Sequence, residues 1–240
     1  VTDEDLDTPL HFAAASGAVG AVRLLVQHGA ALEAQSLSRG APLHYAAAYS
    51  RPGACRELVA LGANVNFRNL EGYTPLLLAA ESDDGGVCVR ALLEMGADIH
   101  VHNNRGLAAL HLAAAAGRLE AAKALLEAGA AVNVSYGDTA AAGVQPIHMA
   151  AASCEPEAAA VVRLLLEAGA DGSVRDPCGD TPLHLAASGS ANMEVVQLLL
   201  QAGADLSATN EDGLTPAQLA AKAGKTEVAL LLRQVAEKSV

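Results

Sequence analysis

Eight histidines, four cysteines and two short carboxylate runs are the side chains here with the chemistry to hold a metal or move a proton. Their spacing argues against both uses. Five histidines, His11, His44, His111, His148 and His184, each close a recurring tetrapeptide. A group repeated once per unit cannot serve one reaction centre, so these rings are expected to bond backbone in or beside the first turn of a helix. His100 and His102 form an HxH pair, which needs further ligands to hold a metal, and no such set is obvious in the sequence. Cys55, Cys88, Cys154 and Cys178 lie far apart with no CxxC spacing, so four reduced thiols are expected. Asp3-Glu4-Asp5 and Asp83-Asp84 read as solvated charge at the terminus and in a loop. No glycine-rich phosphate loop and no Gly-x-Ser-x-Gly elbow occurs. No catalytic site, metal or cofactor is therefore expected.

Composition points the same way. The 240 residues are 52% hydrophobic and 18% charged, enough apolar surface for a core. That surface is mostly Ala, Leu and Val, with four Tyr, two Phe and no Trp. Fifteen basic residues against 27 acidic ones leave a net charge of −12. Such a field repels nucleic acid and anionic membrane surfaces, and favours a partner carrying basic residues. No apolar run is long enough for a membrane helix. No signal peptide is evident, and the first residue is Val, as expected of a domain cut from a longer protein.

The elements that position these residues are periodic. The tetrapeptide runs Thr8-Pro9-Leu10-His11, Ala41-Pro42-Leu43-His44, Thr74-Pro75-Leu76-Leu77 and Ala108-Ala109-Leu110-His111. It continues as Gln145-Pro146-Ile147-His148, Thr181-Pro182-Leu183-His184 and Thr215-Pro216-Ala217-Gln218. Starts are 33, 33, 34, 37, 36 and 34 residues apart, and Gly-Ala follows at Gly29, Gly62, Gly96, Gly129, Gly169 and Gly203. Thr suits a helix N-cap and Pro the first helical position. A second apolar stripe, such as Val195, Val196, Leu198, Leu199 and Leu200, precedes a Gly that can end a helix in the left-handed region. Each unit is thus a turn and two antiparallel helices. One unit cannot bury its own apolar face, so neighbours must stack.

Seven such units over the whole chain resemble the ankyrin repeat, whose loose pattern DxxGxTPLHxAAxxGxxxxVxxLLxxGAxxN is well matched from Asp176 to Gly203. The resemblance implies an all-α solenoid of stacked helix-turn-helix units with β-turn or hairpin fingers. It implies a single domain over 1–240 with approximate repeats 1–35, 36–68, 69–102, 103–139, 140–175, 176–209 and 210–240. Repeat 5 carries extra residues around Cys154-Glu155-Pro156-Glu157, and the turn from Gly129 to Gln145 is four residues longer than the others. Tyr136 and Asp138 in that turn belong either to a tolerated surface insertion or to a protruding contact. Repeat 1 has Leu6 where the turn Gly normally sits, and repeat 7 lacks the Gly-Ala exit, as end repeats do.

The resemblance further implies a protein-interaction module that is not an enzyme, works as a monomer, and acts as scaffold, adaptor or regulator in signalling or transcription in the cytoplasm or nucleus. The alternative is the substrate-recruiting part of a larger enzyme, such as a ubiquitin-ligase adaptor, with catalysis elsewhere. Relatives bind on a concave face of turn tips and first-helix ends. Carried over by position, that face holds Tyr49, Leu70, Glu71, Tyr73, Glu81, Arg105 and Leu107, an amphipathic surface unless the tyrosines pad neighbouring repeats. The resemblance also marks Asn66 and Asn133 for asparaginyl hydroxylation, beside the plainer role of bonding turn backbone.

Overall fold

Every tetrapeptide opens a helix, and the residue ahead of it is extended, with Thr8, Ala41, Thr74, Gln145, Thr181 and Thr215 all at ψ near 160°. Proline follows at the first helical position, where a missing N–H costs nothing. A computed structural model of the chain describes residues 2–37, 40–135, 143–189 and 192–238. Among the described residues the helices come in pairs: α1 (Pro9–Ser16) with α2 (Val19–Gln27), α3 (Pro42–Ala48) with α4 (Pro52–Ala60), and α5 (Pro75–Glu81) with α6 (Gly85–Glu94). Then follow α7 (Ala109–Ala115) with α8 (Leu119–Glu127), α9 (Pro146–Ala152) with α10 (Ala158–Glu167), α11 (Pro182–Ser188) with α12 (Met193–Gln201), and α13 (Pro216–Lys222) with α14 (Thr226–Lys238). An isolated bridge between extended residues joins His102 and Ala108 at the base of one finger.

The chain divides into two compact units, one of residues 1–113 and 120–130, the other of 114–119 and 131–240. In the first unit α1 packs on α3 and α3 on α5, while α2 packs on α4 and α4 on α6. In the second, α9 packs on α11 and α11 on α13, with α10 on α12. First helices stack on first helices and second on second because each presents one apolar stripe. Leu10, Leu43 and Leu76 fill one row, and Leu58 and Leu92 another, all essentially without solvent contact. Ala13, Ala46 and Ala79 let the thin first helices approach. Each second helix ends as expected: Gly62 turns to φ 104°, its N–H reaches Val59 O, and the Ala63 N–H reaches Leu58 O.

The insertion in repeat 5 widens the link between α9 and α10 to residues 153–157, where Ser153 Oγ donates to Ala115 O at 2.8 Å. Tyr136 and Asp138 in the longer turn, like Ser38 in an earlier one, lie outside the described residues.

Candidate functional site

A helix-capping group orders the site from below. The Thr8 N–H donates to His11 Nδ1 at 2.9 Å, and the Thr8 hydroxyl lies 2.8 Å from the same nitrogen. A backbone N–H can only donate, so Nδ1 accepts and Nε2 carries the proton. That proton points at Gly40 O, 2.9 Å away in the next repeat. His44 reaches Tyr73 O at 3.0 Å, His148 Val174 O at 3.2 Å, and His184 Leu214 O at 3.0 Å. The histidines thus tie each first helix to the following finger. Burial pushes the rings of His44 and His148 below the ordinary imidazole range. The Thr hydroxyl meets the His ring in repeats 1 and 6. In repeat 7, where Gln218 replaces His, Thr215 Oγ1 accepts the Gln218 N–H at 3.4 Å.

Above this layer stand the fingers, held by a residue the sequence reading passed over. Asn69 Oδ1 accepts the N–H groups of Glu71 and Tyr73, and Asn103 Oδ1 those of Arg105 and Leu107. Asp3 and Asp176 do the same in their own turns. These Asx turns give each finger one shape, and the Asn104 N–H joins finger to finger by donating to Glu71 O at 3.0 Å. That close approach needs glycine at 72, because a Cβ there would stand 2.2 Å from Asn104 Oδ1 while φ is 78°. Arg68 adds a clamp from below, Nη1 to His102 O at 2.8 Å and Nη2 to Asn104 Oδ1 at 3.3 Å.

Five of the seven expected contact residues are exposed on the first unit: Tyr49, Leu70, Glu71, Glu81 and Arg105. Leu70, 74% exposed at a finger tip, is a large apolar side chain with nothing in its own repeat to bury it. Tyr73 is half-buried, and the surrounding charges register on its phenol. Burial raises its pKa first and Glu81 second, with Asn103 and Arg105 opposing. Tyr73, Glu81, Arg105 and Glu71 therefore form one neighbourhood. Tyr49 caps α3 and Glu81 ends α5, and the Ser50 and Ser82 hydroxyls, 2.8 Å apart, hold those two helix ends together.

Leu107 does not belong to this surface. It was expected exposed, and it is 3% exposed, in the core. The place before the helix start is drawn inward: there Gly40, Tyr73 and Leu214 present carbonyls to the preceding repeat's histidine. At that place Leu107 is buried, whereas Tyr73 and Leu214 are half-buried. Tyr45, in contrast, is core, its hydroxyl bonded to Ser36 at 2.9 Å and to Asp7.

Asn66 and Asn133 occupy equivalent turns. Asn66 Nδ2 donates to Gly96 O at 3.3 Å and its Oδ1 accepts from Asp98 N at 2.8 Å; Asn133 repeats this with Gly169 O and Asp171 N. On the opposite side, Arg23 grips Glu57 through two bonds of 2.7 and 2.9 Å, Arg56 pairs with Glu94, and Arg163 with Glu194. These three arginines are matched by carboxylates of the next repeat. Among the described residues, no three His, Cys, Asp or Glu side chains gather as a metal ligand set, and no helix is long and apolar enough to cross a membrane.

Comparison with known proteins agrees with this geometry. The family model for ankyrin repeats (3 copies) matches residues 1–69, 43–136 and 147–239. The chain is 37% identical over 103 residues to human Ankyrin repeat and SOCS box protein 16, covering 43% of this chain and 21% of that protein. It is 36% identical over 105 residues to the E3 ubiquitin-protein ligase KEG of Arabidopsis thaliana, covering 43% and 6%. Protein PhlB of Serratia liquefaciens is 42% identical over 99 residues, 41% of each chain. The matches thus span less than half of these curated relatives. Among solved structures, the human ASB11 ankyrin repeat domain superposes with a TM-score of 0.78 at 31% identity, covering 94% of this chain and 98% of that one. The Bcl-3 ankyrin repeat domain, from the IkappaB protein family, gives 0.72 at 32% identity over 96% and 100%. The chain belongs to the ankyrin-repeat family, an all-α solenoid whose repeats serve protein–protein interaction.

Proposed function

We propose that the first unit binds a peptide or folded partner on the surface around Tyr73. The supporting observation is the neighbourhood of half-buried Tyr73 with exposed Glu71, Glu81 and Arg105, together with the exposure of Tyr49 and Leu70 in the same unit. Tyrosine offers large contact area at small entropic cost, and the two carboxylates, Glu71 and Glu81, beside the two phenols suit a partner with an apolar anchor flanked by Lys or Arg. Catalysis has no part in this reading. The chain acts as a monomeric scaffold, adaptor or regulator in signalling or transcription, in the cytoplasm or nucleus. Selection from a random peptide display library tests it. Enriched peptides carry Lys or Arg around an apolar residue, and the Tyr49→Ala/Leu70→Ala variant, folded by circular dichroism, loses them. Enrichment that the variant leaves intact overturns the site.

A second reading has its own support: the relatives named above include a SOCS box protein and an E3 ubiquitin-protein ligase. In that reading the repeats recruit substrate for a larger assembly. Ubiquitin transfer to proteins captured by the full-length protein separates the two. Two smaller proposals rest on position. Tyr136 and Asp138 add a loop contact, which deletion of 136–142 removes. Asn66 and Asn133 accept hydroxylation, read as one added oxygen per site in the intact mass after incubation with an asparaginyl hydroxylase. Their carboxamides must first leave the turn bonds described above.

A further inference from the structure

The second helices of the first unit pack through small side chains, and at one junction both facing side chains carry sulfur. Cys55 on α4 and Cys88 on α6 are fully buried, and their Sγ atoms stand 3.5 Å apart. The two positions lie one repeat apart in the chain, so stacking sets them opposite each other. The remaining thiols, Cys154 and Cys178, are exposed, and the carboxylate of Asp176 pushes the Cys178 thiol up.

We propose that Cys55 and Cys88 are a disulfide-forming pair that locks the second repeat to the third when the protein meets a thiol oxidant of the glutathione disulfide class. A disulfide needs about 2.05 Å between sulfurs, so the pair must close by roughly 1.5 Å from its 3.5 Å separation. One thiol gives up its proton and attacks a sulfur of glutathione disulfide, expelling a glutathione thiolate that takes up a proton. The second then loses its proton, attacks the protein sulfur and expels the second glutathione. Two protein thiols are oxidised by two electrons, and one glutathione disulfide is reduced to two glutathiones.

The surroundings set the rate of each step. The hydrogen bond to Cys88 and then burial hold the Cys55 thiol well above the usual range, so it attacks only when the junction opens locally. Once one sulfur is capped, the other lies beside it, and the intramolecular step outruns any second encounter with oxidant. The exposed cysteines lack such a neighbour among the described residues, so they stop at the mixed disulfide.

The test uses the full chain with Cys154→Ser and Cys178→Ser, which leaves two thiols. It is incubated with glutathione disulfide in moderate urea, where junctions open often. Both thiols are expected to disappear together, and peptide mapping without reductant yields a linked Cys55–Cys88 pair that retains no glutathione. The unfolding midpoint rises by about 5 °C and returns on reduction. Adding Cys88→Ala, which places there the residue found at neighbouring packing positions such as Ala54 and Ala91, converts the product to a stable glutathione adduct on Cys55. Thiols that stay free, glutathione retained on either cysteine while both are present, or links only between molecules would each overturn the proposal.

Discussion

Leu77, three residues after Thr74, leaves the buried Thr74 hydroxyl without a hydrogen-bond partner. In repeats 1 and 6 that place holds His11 and His184, which meet Thr8 and Thr181 at 2.8 and 2.9 Å. An orphaned buried hydroxyl costs stability, whereas a partnered one contributes to it. Thr74→Val is therefore expected to be neutral or stabilising by up to about 1 kcal/mol, and Thr181→Val to destabilise by about 1 kcal/mol. Urea titration of the two variants checks the contrast, and equal losses would refute it.

The converse defect lies one repeat earlier. His44 Nδ1 is buried without a hydrogen-bond partner, and residue 41 is Ala where Thr stands in four other repeats. Ala41→Thr brings a hydroxyl to that nitrogen and is expected to add about 1 kcal/mol. A midpoint that falls instead would mean that the pocket around position 41 cannot open by one hydroxyl and one methyl.

Leu6 sits at φ 61° and is 45% exposed, at the finger place that Gly72, Gly106, Gly179 and Gly213 fill in other repeats. A side chain in the left-handed region costs about 1–2 kcal/mol. Leu6→Gly is expected to recover about 1 kcal/mol, less its own added freedom when unfolded. Thermal melts of the variant beside the parent measure it.

Acid weakens the stack through His44 and His148. Both are held below the ordinary imidazole pKa of 6.5, so the unfolded chain takes up protons that the folded chain refuses. Their contribution is complete above that value and is lost as pH falls through it toward the folded pKa. Urea midpoints should fall from pH 7.5 to 5.5. His148→Gln, which keeps an acceptor as Gln218 does in repeat 7, should flatten the slope. Glu57, Asp171 and Asp205 are depressed by Arg23, Ser173 and Ser207, so their losses come at lower pH, through the carboxylate range.

The repeat was legible because its signals are local: Thr-Pro, Gly-Ala and two apolar stripes each act within a few residues. The structural role of the histidines was legible too, from repetition alone. Exposure was legible at the finger tip, where Leu70 and Glu71 have no neighbour to cover them. It failed at Leu107, because a shared position does not convey how far neighbours cover it: Leu107 is buried, while Tyr73 and Leu214 at the same place are half-buried. Tyr73 and Leu107 occupy the same place with different fates. The Asx turns of Asn69 and Asn103 form no single motif in the sequence, since Asp3 and Asp176 fill the same role in other fingers. The contact of Cys55 with Cys88 was hidden by treating cysteine spacing as a question about short motifs, when the relevant spacing is one repeat.

The histidine link has a mechanical consequence. In the first unit His11 and His44 fasten the first two seams, at 2.9 and 3.0 Å, while Leu77 offers nothing of the kind to the third. If the unit were pulled from its two ends, the third seam would carry its load at the finger tips, through the Asn104 N–H on Glu71 O and the Arg68 clamp, where the first two seams also carry it at the helix start.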